Sequence, residues 1–223
     1  TTFSIPTAPF TSDANTSFLC NFTNAGITDA TAKNVLETVG NAQISTTQSK
    51  FGGSSMYFDG TGDYLIARNS PDFNLGTGDF TIEAWVYLTN TTGQKAIVSK
   101  GIDTGTKYGA YDFLFDGTTL RAYLYDSSGT STTYSATSGV SASTWTHVAA
   151  VRYNGTFRIY VNGVSIVSGA STQNLTGDTD VLWVGAEQSS SANFNGYMQD
   201  VRITKGYARY VQPFTPPTQA DQL

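Results

Sequence analysis

Along residues 80–88, apolar and polar side chains alternate without a break. Phe80, Ile82, Ala84, Val86 and Leu88 fall on one face, and Thr81, Glu83, Trp85 and Tyr87 fall on the other. A repeat of two over this length predicts a β-strand, because successive side chains of an extended chain point to opposite sides. One face is wholly apolar, and the other mixes polar and aromatic groups. Such a strand packs its back against a second sheet and turns its front to solvent or to a ligand.

The same alternation recurs along the chain. Residues 54–88 hold three alternating segments separated by Gly/Asp turns. Residues 17–22 read as a first strand, 35–39 and 43–45 as weak strands around Gly40-Asn41, and 95–100 as a short apolar one. A meander follows, in which 108–115, 120–125 and 130–135 are divided by Asp116-Gly117 and by Ser127-Ser128-Gly129. Residues 145–153 and 156–161 flank Asn154-Gly155, and Asn162-Gly163 leads into 164–167. Asp-Gly and Asn-Gly between alternating runs are hairpin signals. The last strands are expected at 181–186 and 197–204.

Residues 1–14, with Pro6 and Pro9, read as an irregular lead-in, and 23–34 as a polar loop with at most one helical turn. The exit, 213–223, contains PFTPPT. Its prolines cannot donate to a ladder, so the sheet should end there. About a dozen strands, no helix and no repeat of 20–50 residues predict one all-β domain over 1–223, with its core between about 15 and 212. The strand count favours a two-sheet antiparallel β-sandwich over an immunoglobulin-type unit of ~100 residues.

Composition narrows the partners. Only 13% of residues are charged, against a typical ~25%. Thr, Ser, Asn and Gly stand where charges usually sit, as in many extracellular and viral β-proteins. Formal net charge is -5, and the twelve Lys and Arg are scattered. No basic stripe exists for a phosphate backbone, so neither nucleic acid nor an anionic membrane surface is an expected partner. No apolar run approaches the ~18 residues that span a bilayer. The start, TTFSIPTAPF, has neither a basic nor an apolar leader region, so it does not read as a signal peptide. Cys20 is the only cysteine. The fold must therefore hold by burial alone, which points mildly to a bacterial or viral source.

FDGTGDYLIA (58–67), GDFTIEAWVYL (78–88), STWTHVAAVR (143–152), FRIYVNGV (157–164) and GYMQDVRITKG (196–206) occur in that order. As a set they resemble the laminin-G-like, concanavalin A-like jelly-roll domains over roughly residues 15–215. The ending ITKGYARYVQPFTPPT, with the opening APFTSDANTSFLCNF, is most similar to the version found in bacteriophage virion and tail-fibre proteins. The resemblance implies a jelly roll with concave and convex faces that binds glycans or proteins. It also implies a place on a virion (phage tail or capsid surface), beside other virion proteins and as a homo-oligomer. Some related folds are glycosidases or lyases.

Four groups of residues carry candidate chemistry. Glucanases of this fold use the pattern Glu-x-Asp-x-x-Glu, with the two carboxyls ~5–5.5 Å apart in retaining enzymes. This chain has three glutamates, Glu37, Glu83 and Glu187, and the pattern is absent. His147 is the only histidine, and no G-x-S-x-G accompanies it, so it reads as a strand histidine bonded to a neighbour.

In relatives a Ca²⁺ often takes a carboxylate from the last strand and carbonyls from an early loop, the hard oxygens that this ion prefers. Their last-strand motif is Ile-Asp-Glu-Val-Arg-Ile; here it is Met198-Gln199-Asp200-Val201-Arg202-Ile203. Gln199 thus stands at the usual aspartate position. Asp200 can replace it only if a bulge re-aims it, and Asp59 and Asp63 are separate candidates for a structural Ca²⁺. Asp and Gly also build turns without metal.

Sugar rings stack on Trp and Tyr faces while their hydroxyls pair with polar side chains. Alternation groups Glu83, Trp85 and Tyr87; Arg121, Tyr123 and Tyr125; and Arg158, Tyr160 and Asn162. If these strands share a sheet, the triplets tile one exposed face; aromatics are also favoured in strands for packing alone. Finally, Arg152 and Arg202 sit in strands with few acids nearby in sequence; a buried arginine needs a carboxylate, for which Asp59, Asp112 and Asp180 are candidates.

The reading that follows is a non-catalytic recognition or adhesion module of a phage particle that binds host-surface carbohydrate. Its weak single sites gain avidity by multivalent display. The alternatives are a virion decoration or cement module with no ligand, and a polysaccharide-degrading enzyme with an unrecognised acid pair.

Overall fold

A computed structural model describes residues 11–22, 26–101, 110–126, 128–176, 181–188 and 192–216. The expectations for residues 1–10, 23–25, 108–109, Ser127, Asp180 and the exit from 217 onward lie outside the described residues.

Among the described residues, two antiparallel sheets face each other. The first runs, edge to edge, β13 (Val164–Ala170), β12 (Thr156–Val161), β11 (Trp145–Tyr153), β6 (Phe80–Leu88), β15 (Asn195–Lys205), β4 (Ser55–Asp59) and β3 (Gln43–Ser45). An eighth strand, β1 (Thr16–Cys20), shares one edge of β15 with β4: β4 pairs with 195–198 and β1 with 201–204. The second sheet runs β10 (Ser131–Thr137), β9 (Thr119–Tyr125), β8 (Tyr111–Asp116), β7 (Gln94–Lys100), β14 (Leu182–Val184), β5 (Tyr64–Ala67) and β2 (Leu36–Val39). Among the described residues the helical content is a 3-10 turn, Pro71–Phe73, whose first N–H groups are capped by Ser70.

The inner faces are those that alternation marks as apolar. Ile82, Leu124 and Ile159 are at most 2% exposed and belong to one cluster spanning both sheets. Each such side chain contributes about 1.5–3 kcal/mol on burial. Cys20 is buried among them. The two Asn-Gly hairpins have positive φ at both central residues: 46° and 70° at Asn154-Gly155, and 47° and 78° at Asn162-Gly163. These tight turns match the twist of the flanking strands.

β15 departs from simple alternation. Gln199 opposes Trp85 and Arg202 opposes Glu83, so an extra residue is accommodated between them. Asp200 takes φ 52° at this bulge. The polar doublet Gln199-Asp200 would otherwise put every following side chain on the wrong face. The bulge resets the phase. Val201 and Ile203 enter the core, and Arg202 stays on the outer face opposite Glu83.

Candidate functional site

Four aromatic side chains stand in register across the outer face of the eight-stranded sheet. Tyr57 on β4 pairs with Tyr197 on β15, Tyr197 with Tyr87 on β6, and Tyr87 with Trp145 on β11. Their ring centroids are separated by 5.0, 5.7 and 5.6 Å in that order. All four are half-buried, so their faces are held by neighbours yet reach solvent. With strands ~4.8 Å apart, the rank spans roughly 14 Å. Directly opposed aromatics of this kind stabilise a sheet pair by up to about 1 kcal/mol. Gly196, at φ 143°, allows β15 to close on β6 here: a Cβ would lie 2.1 Å from the Tyr87 carbonyl oxygen.

Two different flanks border the rank. On one, Trp85 lies under the loop between β3 and β4: the Phe51 ring meets it edge-on at 5.7 Å, and the Lys50 ammonium lies 4.2 Å from its centroid. Gln199 fastens this loop. Its Oε1 accepts from the backbone N–H groups of Lys50 and Phe51 at 2.9 and 3.1 Å, and its Nε2 donates to the Phe51 carbonyl at 2.7 Å. Burial lowers the Lys50 pKa. On the other flank, Asp59 and Asn195 are register partners, and Asn195 Nδ2 donates to the Asp59 carbonyl at 3.0 Å.

Further along the same face the sheet is covered. Tyr210 and Phe214 stack at 3.7 Å and lie over Tyr160 and His147. Beneath them Glu83 is fully buried and holds a charged network. Arg202 Nε and Nη2 contact its Oε1 at 2.8 and 2.7 Å, and the Tyr210 hydroxyl donates to Oε2 at 2.7 Å. His147 Nε2 lies 3.1 Å from Oε2. A carboxylate only accepts, so Nε2 carries the proton. The bonded strand histidine is thus found, and its neighbour is Glu83.

Burial alone would raise the Glu83 carboxyl. Arg202 first, then His147 and Arg209, overcome that and hold it well below the usual carboxylate range. Its stabilisation is therefore complete above the unfolded pKa of about 4.3, and is lost as pH falls from there through the lowered folded value. Urea midpoints measured on the acid side of pH 4.3 should fall less steeply for Glu83→Gln than for the parent. Equal slopes would remove Glu83 from the acid response.

Several sequence expectations need correction. Glu83, Trp85 and Tyr160 are 0%, 4% and 0% exposed, not part of an open surface. The loop and the C-terminal segment cover them, and no alternation pattern registers such covers. The triplets do not share a sheet: β6 and β12 belong to one and β9 to the other. Arg121, Tyr123 and Tyr125 therefore lie on the opposite side of the sandwich. There Tyr123 and Tyr125 stack at 6.3 Å, Arg121 donates to the Tyr123 hydroxyl at 3.2 Å and pairs with Asp116 at 2.9 Å. Arg158 is half-buried on β12. Asn162 is exposed at a hairpin, where its Oδ1 accepts from the His147 backbone N–H at 3.0 Å. Arg202 finds its carboxylate in Glu83 and not in Asp59 or Asp112; Asp112 accepts from Ser99. Arg152 is satisfied chiefly by backbone carbonyls.

Of the rank, only Tyr87 is singled out by sequence. Tyr57, between Met56 and Phe58, and Tyr197, before Met198, carry the signal of an outward aromatic between core residues, as does Trp145 at the head of its strand. Their juxtaposition depends on register between distant strands.

Among the described residues the calcium candidates do not come together at one place. Asp63 is buried, and its two oxygens accept from the backbone N–H groups of Asn41 and Asp59 at 2.6 and 2.9 Å. Asp59 Oδ1 accepts from the Thr61 N–H at 2.7 Å. These are turn-forming bonds. The bulge does re-aim Asp200, but towards Asn21, whose Nδ2 donates to it at 2.9 Å. Among the described residues no three His, Cys, Asp or Glu side chains gather as a metal cluster. Gln199 joins the last strand to an early loop, its NH₂ donating to the Phe51 carbonyl.

Comparison with known proteins agrees with the architecture. The sequence family described as the concanavalin A-like lectin/glucanases superfamily, of laminin-G type, matches residues 59–209. Among solved structures, the receptor-binding domain of a botulinum neurotoxin C/D mosaic serotype is 13% identical with a TM-score of 0.65, covering 85% of this chain and 48% of that one. The binding domain of Paraclostridial Mosquitocidal Protein 1 is 14% identical with a TM-score of 0.66, covering 86% and 49%. The ligand-binding domain of botulinum neurotoxin serotype D, solved in complex with N-acetylneuraminic acid, is 13% identical with a TM-score of 0.66, covering 85% and 47%. The chain thus spans about half the length of the structures it matches, and at these identities the likeness is one of fold.

Proposed function

Because the chain belongs to the concanavalin A-like lectin/glucanase superfamily, we propose that it is a non-catalytic module that recognises carbohydrate through the rank Tyr57–Tyr197–Tyr87–Trp145. One observation carries this reading: four half-buried rings in register on four neighbouring strands. Sugar rings present apolar C–H faces to such a platform and polar rims to its borders, where Asp59 and Asn195 stand. The strands are rigid before binding, so little ordering entropy is lost. The platform is shallow, and copies displayed together supply avidity. A likeness to a domain solved with N-acetylneuraminic acid is consistent with a sugar ligand. Glu83 is tied to Arg202, His147 and Tyr210 and has no freedom for acid–base work.

The phage-like opening and ending extend the reading. The module sits on a virion, tail or capsid, as a homo-oligomer beside other virion proteins, and its carbohydrate belongs to the host surface. The test is a glycan array with purified protein. Tyr87→Ala and Trp145→Ala should each weaken retention about tenfold, a stacking loss of about 1.4 kcal/mol, with unchanged circular dichroism. Tyr123→Ala, on the opposite sheet, should bind as the parent does. Retention of no glycan, or equal loss from both faces, would sink the proposal.

A further inference from the structure

Resting on that carbohydrate reading, we infer that the aromatic rank selects acidic glycans and holds them in one orientation, with a sugar carboxylate at Lys50 and sugar hydroxyls at Asp59 and Asn195. The two borders of the rank differ in charge. One carries an ammonium, and the other a carboxylate beside a carboxamide. In register they lie on either side of Tyr87 and Tyr197, and four residues along a strand separate them by roughly 13 Å. That width takes one sugar ring with a substituent on each side.

Lys50 is fixed more firmly than a surface lysine. Its own N–H and that of Phe51 both donate to Gln199 Oε1, so the loop backbone beneath it is pinned. Its ammonium lies over the rings of Trp85 and Phe51, at 4.2 and 5.6 Å from their centroids. No carboxylate among the described residues forms an ion pair with it. Two neighbouring cations are engaged: Arg202 with Glu83, and Arg209 with Asp13. A half-buried ammonium that rests only on aromatic faces has three donors to offer. It gains a charge-assisted bond when a carboxylate arrives. Across the rank, Asp59 Oδ1 accepts from the Thr61 N–H, and a carboxylate retains further acceptor sites for hydroxyl donors. It repels a second anion, so a reversed ligand is disfavoured.

The experiment uses the full chain on immobilised uronic- and sialic-acid-bearing bacterial polysaccharides, each printed beside its carboxyl-reduced neutral form. The parent should hold at least one acidic polymer about tenfold more tightly than its reduced form. Lys50→Gln should erase that ratio, and Lys50→Arg should keep most of it. Asp59→Asn should weaken both forms alike and leave the ratio standing. Equal binding of acidic and reduced forms by the parent, or a ratio untouched in Lys50→Gln, overturns the acidic specificity. In that event loss of binding in Tyr87→Ala still supports carbohydrate recognition. If the parent holds no glycan at all, both readings fail together.

Discussion

Glu83→Ala is expected to lower the free energy of unfolding by about 3–5 kcal/mol, the cost of leaving a buried cation without its anion. Glu83 is fully buried, and Arg202 is 2% exposed. Removing the carboxylate takes the Glu83 anion from the Arg202 guanidinium and the Glu83 acceptor from the Tyr210 hydroxyl and His147 Nε2. It also removes one of the points where the C-terminal segment docks, so Tyr210 and Phe214 should be held less firmly over Tyr160. Urea unfolding followed by tryptophan fluorescence gives the stability, and limited proteolysis after residue 206 gives the docking. Tyr210→Phe keeps the ring stack and should cost less, about 1.5–3 kcal/mol for a bond to a charged acceptor. A loss under about 1 kcal/mol in Glu83→Ala would mean that the pair contributes little net stability.

Arg152→Lys should destabilise the fold by about 3 kcal/mol or more, although charge is conserved. The Arg152 guanidinium is fully buried, and Phe80 lies against it at 4.9 Å. Its Nε donates to Gly78 O at 2.7 Å, Nη1 to Gln173 O at 2.8 Å, and Nη2 to Gly76 O at 2.5 Å. One planar group thus ties two separate loops to β11. A lysine ammonium cannot point in those directions at once, and each buried carbonyl left without a donor costs about 1–3 kcal/mol. Burial lowers the Arg152 pKa to about 10, against the pull of Asp79 and Tyr134, so the group stays charged at neutral pH. Thermal unfolding of Arg152→Lys and Arg152→Met measures the effect. A variant with lysine as stable as the parent would show that the loops are held by other contacts.

Side-chain period made most of the sandwich readable beforehand. The strands at 145–153 and 156–161 lie where the runs flanking Asn154-Gly155 place them, and the strand at 43–45 follows Gly40-Asn41 as expected. The Asn-Gly turns were equally plain, since positive φ at two successive residues restricts composition. Other features depend on partners far apart in the chain. Glu83 alternates with core residues like any outward strand position, yet its partners are 119, 127 and 64 residues away. Nothing local says that Tyr210 will descend on it. The rank of Tyr57, Tyr197, Tyr87 and Trp145 is likewise a product of register. The bulge after Gln199 left a local trace, two polar residues between Met198 and Val201, but its purpose shows only when Arg202 is seen facing Glu83.

The amide of Gln199 has a consequence for where such a module can work. A loop anchored by a dissolved ion keeps its shape only where that ion is plentiful, and chelators or phosphate-rich fluids loosen it. Here the wall beside the aromatic rank is anchored by a group that the chain carries with it. Those bonds run from amide to backbone and contain no ion, so EDTA should leave them in place.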